Sequence, residues 1–533
     1  MDGWRSHAYC EESGRSEVMN IFKRPDRPAP PKAAVTLPYP HRPADGATWA
    51  PPWPRVDATI VALIGLIITA FAMASGRDRI SSQLANTTAI GVLCSLALSF
   101  AFEVRGGLKN LGRADIMGIL ALYYLTLYEF LTPQPFFNVA MPDVRATYLA
   151  LWSVIIGFAG LLIGRHLIPR GRQPFERIMT NPLHSGWLVG IFWVSFFLGF
   201  LHMLLAVDFD IEKMIDAMTR VRFDQPWSRG KYGDWKALIT EFSLLLYLIP
   251  PITGLMLGRR ERYSWLSLAP ALLGFAWVLF YGFTAGTRTV FGAYLVTFMI
   301  AFTFASPPEK RRQIILVCAA CAAAMVFSTQ AMLEMRGIGF KRWMEGEHTN
   351  IVTRHTSSVF VDDNLLVIAK LTRFFPGGNH GNYLGFEIPY LALVRPIPRA
   401  IWPGKPKGMS LTIEEALSAK GATVAATFVG EAYMSGGLFA VALEAIILGM
   451  LAGWWNRMAS PKNSELGILV YSSGFFAVTI TMRSTFSFTT ALLPCLAGIV
   501  FGKILLPRLS KSFQPRPVLP PALRNRPPSP PPA

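Results

Sequence analysis

Two apolar runs joined by a tight turn decide the fold of this chain: SWLSLAPALLGFAWVLFYGFTAGTRTVFGAYLVTFMIAFTFAS, residues 264–306. Each run is about 20 residues long, which is the length of helix that crosses the hydrocarbon core of a bilayer. Two such runs with so short a connection predict a pair of antiparallel membrane-spanning helices. The turn, Gly286-Thr-Arg288-Thr, then holds Arg288 at the membrane surface with a hydroxyl group on either side.

The same pattern recurs along the whole chain. Of its 533 residues 52% are hydrophobic and only 16% are charged, and the apolar residues fall into runs of membrane-spanning length. The sequence therefore predicts an all-α, polytopic integral membrane protein with about twelve transmembrane helices. These are expected near 58–75, 85–102, 114–132, 146–164, 185–207, 237–257, 264–285, 289–306, 313–333, 432–454, 465–482 and 484–506.

The distribution of Lys and Arg predicts the orientation. Short segments between the predicted spans alternate between rich and poor in these residues, and the rich ones, which include Arg113 and Arg165, should be cytoplasmic. Both termini are then cytoplasmic, and the two long loops, 208–236 and 334–425, lie outside. The formal net charge of +18 follows largely from this rule, so it does not indicate a nucleic-acid partner.

Composition divides the chain into three parts. Residues 1–56 are rich in Pro and Arg and residues 508–533 are rich in Pro, so neither segment can bury an apolar core, and both are predicted to be disordered cytoplasmic tails. Residues 57–507 form the predicted transmembrane domain, including the two outer loops.

The most unusual segment lies between the ninth and tenth predicted spans. Within the loop 334–425 the run RPIPRAIWPGKPK, residues 395–407, holds its cations in a proline-framed backbone that cannot form a helix. Guanidinium groups bind phosphate oxygens in pairs and lysines add point charges, so the basic residues of this run suit a diphosphate: Arg395, Arg399, Lys405 and Lys407. Trp402 would stack on a sugar ring or anchor the loop at the lipid headgroups.

Three further places carry groups suited to a site. Arg288 and Arg483 occupy tight outer turns against the charge bias of that side, where each would bind an anion or pair with a nearby acid. Glu431, followed by Tyr433, stands where the long loop returns to the membrane. It would act as a general base or position an acceptor, or it would simply favour the helix dipole and pair with an arginine. His380 lies in a turn-rich polar patch before the basic run.

Metal chemistry is not indicated. The histidines lack a metal-ligand spacing, and the acidic strings that suit a nucleotide sugar with a divalent ion are Asp208-Phe-Asp210 and Asp362-Asp363. Both lie on the predicted outer side, where nucleotide sugars are absent. A lipid-linked donor, without metal or other cofactor, is favoured.

Several of these motifs occur in a familiar order. An outer arginine after a Gly-Thr turn, then Pro-Arg-Ala-Ile-Trp-Pro-Gly-Lys-Pro, then Gly-Glu-Ala-Tyr leading to Gly-Gly, resembles the O-antigen polymerase, or oligosaccharide repeat-unit polymerase, family of bacterial inner membranes. The resemblance covers about 57–507 in topology, with its motifs in 286–289, 395–407 and 430–449. The long proline-rich tails depart from it.

The resemblance implies a membrane glycosyltransferase of surface polysaccharide synthesis, O-antigen or exopolysaccharide. Its substrates would be undecaprenyl-diphosphate-linked glycans, joined on the periplasmic face, with a flippase and a chain-length regulator as further partners. The expected catalytic residues are Glu431, Arg288 and Arg399, the expected diphosphate ligands are Arg395, Lys405, Lys407 and Arg483, and the expected glycan contacts are Trp402, Tyr433 and His380.

Two alternatives remain open from the sequence. An O-antigen ligase would use similar arginines and a loop histidine, for which His348, His355 and His380 are candidates. A non-catalytic flippase or transporter of lipid-linked sugars would place ionisable groups within the membrane, where the main carboxylates are Glu129, Glu241 and Glu444.

Overall fold

The computed structural model describes residues 53–76, 80–105, 110, 112–168, 173–221, 224–227, 239–335, 337–347, 361–376, 382–397, 401–406, 408–418 and 424–505. All of these belong to one compact unit, Gly46–Ala533. The two predicted tails lie almost wholly outside the described residues, so the proposed division into domains stays a prediction.

The described ranges are helical and contain no β-strand. In the first half of the chain the α-helices are α1 Val56–Ala74, α2 Ser81–Val104, α3 Ala114–Thr126, α4 Pro135–Ala140, α5 Val144–Gly164, α6 Glu176–Met179, α7 Ser185–Ala206, α8 Ile211–Thr219, α9 Ile249–Gly258 and α10 Trp265–Thr284. In the second half they are α11 Arg288–Ala305, α12 Arg311–Met335, α13 Phe340–Met344, α14 Asn364–Phe374, α15 Glu387–Val394, α16 Ile413–Ala416, α17 Thr427–Asn456, α18 Glu465–Thr481, α19 Phe486–Ala491 and α20 Leu493–Ile499.

These helices confirm the predicted fold class. Within the described ranges, nine helices are long and apolar enough to cross a membrane: 56–74, 81–104, 144–164, 185–206, 239–258, 265–284, 288–305, 311–328 and 427–456. Shorter apolar helices at 114–126, 465–481 and 486–502 coincide with the other three predicted spans. The chain is a polytopic, all-α membrane protein, and the number of crossings stays a prediction.

The predicted loop 334–425 is more ordered than the sequence indicated. Its described residues contain four helices, α13 to α16. Leu365, Ile368 and Leu371 of α14 are fully buried, and α14 packs against α5 and α17. Much of this segment is therefore part of the folded body, because the apolar face of α14 needs a partner once it leaves water.

The described residues bury two apolar cores. The first is built mainly from α7, α9, α10, α11 and α18, and the second from α1, α2, α3, α5, α14 and α17. The end of α18 connects them, because Val478 belongs to the first core whereas Met482 and Phe486 belong to the second. The turn that carries Arg483 thus lies where the two cores meet.

Helices α5 and α17 approach each other closely through small residues. A Cβ on Gly164 would lie 2.2 Å from the carbonyl oxygen of Ile446, and one on Gly449 would lie 2.5 Å from that of Leu161. Glycines at these positions let two backbones pack directly, a common device where lipid provides no hydrophobic drive for association. This contact fixes α17 relative to the second core.

Four charged side chains form a buried network among α2, α3 and α5. Arg113 contacts Glu103 at 2.8 Å and Asp115 at 3.0 Å, and Arg165 contacts the same two acids at 3.1 and 3.2 Å. All four side chains are at most 2% exposed. Asn456, at the end of α17, donates to Asp115 at 2.5 Å. Arg113 and Arg165, which the charge distribution assigns to cytoplasmic segments, are therefore enclosed and paired within the protein, and the side on which they lie stays a prediction.

Candidate functional site

Two arginines that the sequence singled out meet at one carboxylate. Arg288 begins α11 and Arg483 lies in the turn after α18, yet Nη2 of each approaches Oδ2 of Asp362, at 3.8 and 3.4 Å respectively. The three side chains are 16%, 30% and 27% exposed. Both arginines therefore pair with an acid, as one of the sequence alternatives held, and they do so at a common point that solvent reaches.

Glu431 holds the turn that carries Arg483. Its Oε1 accepts a 2.6 Å hydrogen bond from the hydroxyl of Ser484, and its Oε2 accepts a 2.7 Å bond from the backbone N–H of Thr485. The residue is only 3% exposed. Phe428, one turn earlier, donates its N–H to the carbonyl of Met482 at 3.3 Å. These hydrogen bonds join the start of α17 to residues on both sides of Arg483.

Two further carboxylates secure the same region. The hydroxyl of Thr485 donates to Glu444, which lies farther along α17. Oε2 of Glu129 accepts the N–H of Val361 at 3.3 Å, next to Asp362. These are two of the three intramembrane carboxylates that the transporter alternative invoked. In the structure Glu444 contacts Thr485, two residues after Arg483, and Glu129 contacts Val361, the residue before Asp362.

Arg395 joins the group from a third chain segment. Its guanidinium carbon lies 5.6 Å from the centre of the Phe486 ring, within cation–π range. Helix α15, which ends just before Arg395, is tied to α19 by a 2.6 Å hydrogen bond from Thr489 to the carbonyl of Ala392. Arg395 is thus held beside the chain segment that follows the Arg483 turn.

The basic run is closed by its own lysine. Nζ of Lys405 donates to the carbonyls of Arg395 and Ile397 at 2.7 and 2.9 Å, and its N–H donates to the carbonyl of Trp402 at 3.1 Å. Lys405 therefore connects the two ends of the proline-framed turn by hydrogen bonds. Its predicted phosphate contact stays a prediction. Trp402 is partly exposed.

Tyr433 lies in the protein interior. It is 4% exposed, and its hydroxyl donates to the carbonyl of Phe375 at 3.5 Å. Its ring packs edge-on against Tyr383, with the ring centres 6.1 Å apart. Tyr433 thus lies in the buried segment 427–435, which also carries Glu431, and its predicted glycan contact stays a prediction.

Helix α17 is interrupted directly after this buried segment. Within α17, Gly437 has φ +66°, a left-handed conformation that glycine adopts without strain. Before the break, the carbonyls of Met434 and Ser435 accept the N–H groups of Leu384 and Gly385 at 2.8 and 2.9 Å. An interrupted helix inside a membrane protein needs such partners for its freed backbone groups, and here the segment leading to α15 supplies them.

Several predicted site residues lie outside the described residues: Arg399, Lys407, His380, His348 and His355. Across the ranges that the structure describes, no group of three His, Cys, Asp or Glu side chains is arranged to hold a metal ion.

The comparison with protein families bears on this site. Residues 234–482 match the model of the family described as "Putative O-antigen polymerase". This part of the chain, just under half of its length, is similar to that family. No curated protein and no solved structure matches the chain.

Similarity to the O-antigen polymerase family supports a glycosyltransferase-type role in polysaccharide biosynthesis, with a lipid-linked glycan as substrate. The matched segment contains Arg288, Asp362, Arg395 and Glu431 and stops one residue before Arg483. The family similarity therefore covers the part of the chain that contains all of these residues except Arg483.

Sequence reasoning missed the residues that organise the site. Asp362 was considered only as a metal ligand, and Glu129 and Glu444 only as transporter groups. The signal was nevertheless present, because a carboxylate within an apolar span is costly unless the fold gives it partners. Thr485, which links Glu431 to Glu444, carried no signal of its own.

Proposed function

We propose that this protein is the polymerase that joins polyprenyl-diphosphate-linked oligosaccharide repeat units on the periplasmic face of a bacterial inner membrane. The observation that carries the proposal is the convergence of Arg288 and Arg483, from distant chain segments, on one partly exposed point, with Arg395 beside Phe486, which follows Arg483 in the chain. Arg288 and Arg395 lie within the segment that matches the family, and Arg483 lies directly after it. Guanidinium groups placed in this way suit a diphosphate better than a neutral glycan.

The reaction is a glycosyl transfer without a nucleotide donor. A hydroxyl of the acceptor glycan attacks the anomeric carbon of the donor glycan, the bond from that carbon to the phosphate oxygen breaks, and undecaprenyl diphosphate leaves with the electron pair. The arginines stabilise the charge that develops on the leaving diphosphate. The proton of the acceptor hydroxyl passes to a base.

The residue that takes this proton stays a prediction. Glu431 was the sequence candidate, but both of its oxygens accept hydrogen bonds from the Arg483 turn. We therefore assign Glu431 a positioning role in the first place. By holding the turn it fixes the direction from which Arg483 reaches the diphosphate.

The orientation follows from the charge bias, with both termini in the cytoplasm. The end of the bundle that carries Arg288 and Arg483 then faces the periplasm, where lipid-linked repeat units are exposed after they cross the membrane. Trp402, Arg399, Lys405, Lys407, Tyr433 and His380 remain proposed contributors to substrate binding.

Reconstitution with a defined donor tests the proposal. The purified chain in liposomes should lengthen a lipid-linked repeat unit without added nucleotide sugar. Arg288→Ala, Arg395→Ala and Arg483→Ala should each reduce lengthening by on the order of a hundredfold, since each removes a charge from the leaving-group site. Arg145→Ala, at the exposed start of α5, is the matched control and should retain full activity.

The competing functions give different results in this assay and in cells. Movement of the lipid-linked unit across the bilayer without lengthening would identify a transporter. In a strain that lacks the gene, lipid cores capped with a single repeat unit identify a polymerase, whereas uncapped cores identify a ligase. Full lengthening activity in all three arginine variants would contradict the proposed diphosphate site.

A further inference from the structure

Asp362 occupies the point toward which Arg288 and Arg483 converge. It forms an ion pair with each of the two guanidinium groups. Its carboxylate is partly open to solvent, at 27% exposure. An anion that bound both arginines at this point would therefore compete with Asp362.

The backbone at Asp362 is fixed from both sides. Val361 is 2% exposed and its N–H donates to Glu129. Asn364 is fully buried, its side-chain amide donates to the carbonyl of Leu125 at 2.9 Å, and its N–H donates to the carbonyl of Asp362 at 2.7 Å. The carboxylate is thus held opposite the arginines by the fold, and only rotation of its short side chain can move it away.

The two contacts of Asp362 are loose. Distances of 3.4 and 3.8 Å exceed the 2.7–2.9 Å that is typical of a charge-assisted hydrogen bond. A carboxylate carries one negative charge on two oxygens. A diphosphate carries more negative charge and offers several oxygens in the paired geometry that guanidinium groups prefer.

We propose that Asp362 is a resident counter-anion, which holds Arg288 and Arg483 together in the empty site and which the diphosphate of the lipid-linked donor displaces. The inference rests on the proposed function, since it concerns the same diphosphate site. In the empty site the carboxylate offsets the mutual repulsion of the arginines. On binding it competes with the diphosphate, and after transfer it assists release of the undecaprenyl diphosphate product.

The isosteric substitution Asp362→Asn tests this inference, by whether it strengthens or weakens binding of a diphosphate. Binding of farnesyl diphosphate to the purified chain in nanodiscs is measured for the wild type and for Asp362→Asn. The variant should bind the diphosphate more tightly, on the order of fivefold, the size of a partly solvated charge interaction. Farnesol, which lacks the diphosphate, should show no change in binding.

A matched control removes the acidic partner from an ion pair between an arginine and an aspartate outside the site. Asp216→Asn disrupts the exposed ion pair between Asp216 and Arg220 on α8 and should leave farnesyl diphosphate binding unchanged. Asp362→Ser provides a second variant without the charge, so that poor folding of one variant does not remove the test. Both Asp362 variants should bind more tightly than the wild type.

The outcomes separate the inference from the proposed function. If Arg288→Ala and Arg483→Ala weaken binding but the Asp362 variants bind equally or less well than the wild type, Asp362 is a permanent support of the arginines and the counter-anion inference is wrong. If the arginine variants bind farnesyl diphosphate as the wild type does, the diphosphate site itself is refuted. Tighter binding by the Asp362 variants, together with weaker binding by the arginine variants, supports both.

Discussion

For Glu431 the sequence identified the residue but not its role. The sequence predicted a carboxylate near outer arginines, and the structure places it beside the Arg483 turn. Its burial and its two accepted hydrogen bonds point to support of that turn. A carboxylate whose oxygens are both engaged is less available to accept a proton than one that faces substrate.

Substitution of Glu431 distinguishes support from proton transfer. Glu431→Ala leaves the Ser484 hydroxyl and the Thr485 N–H without their acceptor, at a cost of roughly 1–3 kcal/mol for each buried group. We expect reduced membrane abundance and loss of lengthening. Glu431→Gln keeps an acceptor oxygen and should retain normal abundance and measurable lengthening.

Abundance is read by immunoblotting and lengthening by the liposome assay. Normal abundance of Glu431→Gln with complete loss of lengthening would show instead that Glu431 is the base. Thr485→Ser, which keeps both the backbone donor and the hydroxyl, is the conservative control and should behave as the wild type.

At the scale of the element, α17 shows what hydropathy cannot locate. The sequence predicted a span from 432 to 454, and the structure places one helix at Thr427–Asn456 with a break at Gly436 and Gly437. The part before the break, 427–435, is buried throughout. This buried segment carries Glu431 and borders the candidate site. The part after the break has the length of a membrane span.

Filling the break should destabilise the protein. An alanine at 437 must adopt the left-handed conformation, at a cost of roughly 1–2 kcal/mol, and its Cβ would lie 2.7 Å from the hydroxyl oxygen of Tyr383. We expect Gly437→Ala to lower the thermal stability of the purified chain. It should also reduce lengthening, because the buried segment that carries Glu431 would shift.

The control for this substitution is Gly190→Ala on α7, where a Cβ would meet no atom within 4 Å. Adding Tyr383→Phe to Gly437→Ala removes the colliding oxygen and should recover part of the lost stability, with the backbone strain remaining. Wild-type stability of Gly437→Ala, measured by thermal unfolding in detergent, would contradict this account of the break.

At the scale of the whole molecule, the site lies where two apolar cores meet, and α17 links it to the buried charge network. Glu431 is near the start of this helix, and Asn456, which contacts Asp115, is at its end. The network joins α2, α3 and α5 without access to solvent. Its charges are compensated within the protein, which is the condition for burying them at acceptable cost.

Removing one cation should therefore damage the whole fold. Arg113→Ala leaves Glu103 and Asp115 with only Arg165 as a cationic partner, and breaking a buried ion pair typically costs about 3–5 kcal/mol. We expect a strong loss of membrane abundance and of thermal stability. Arg177→Ala, at an exposed position, should leave both unchanged.

Equal loss in the two variants would mean that the buried network does not stabilise the fold. Any Arg113→Ala protein that does insert and fold should bind farnesyl diphosphate as the wild type does, because the network lies at the other end of α17 from the diphosphate site.

The part of the fold that could be predicted is the part that depends on the bilayer. Apolar runs such as 264–306 had to become spanning helices, since lipid offers no partner for backbone N–H and C=O groups. The segment 334–425 was harder, because its helices are short and are stabilised by packing. α14 is recognisable only once α5 and α17 cover it.

The candidate site divides in the same way. The arginines were found because a cation at an apolar span on the predicted outer side is unusual in itself. The convergence of Arg288 and Arg483 on Asp362 was not visible, because these residues are far apart in the chain and nothing in their local sequence fixes a shared position. The hydrogen bonds by which Lys405 closes its own turn were not visible in the sequence either, and its phosphate contact stays a prediction.

The sequence by itself determined the all-α membrane fold, the approximate positions of the helices and the residue types of an anion site, because these follow from local hydropathy, proline placement and charge. Only the tertiary structure decided which charges meet. It placed Arg113 and Arg165 in a closed network and left Arg288 and Arg483 partly exposed around Asp362. The reason is physical: the effect of a charge depends on its burial and on its distance from other charges, and both are set by packing between distant segments.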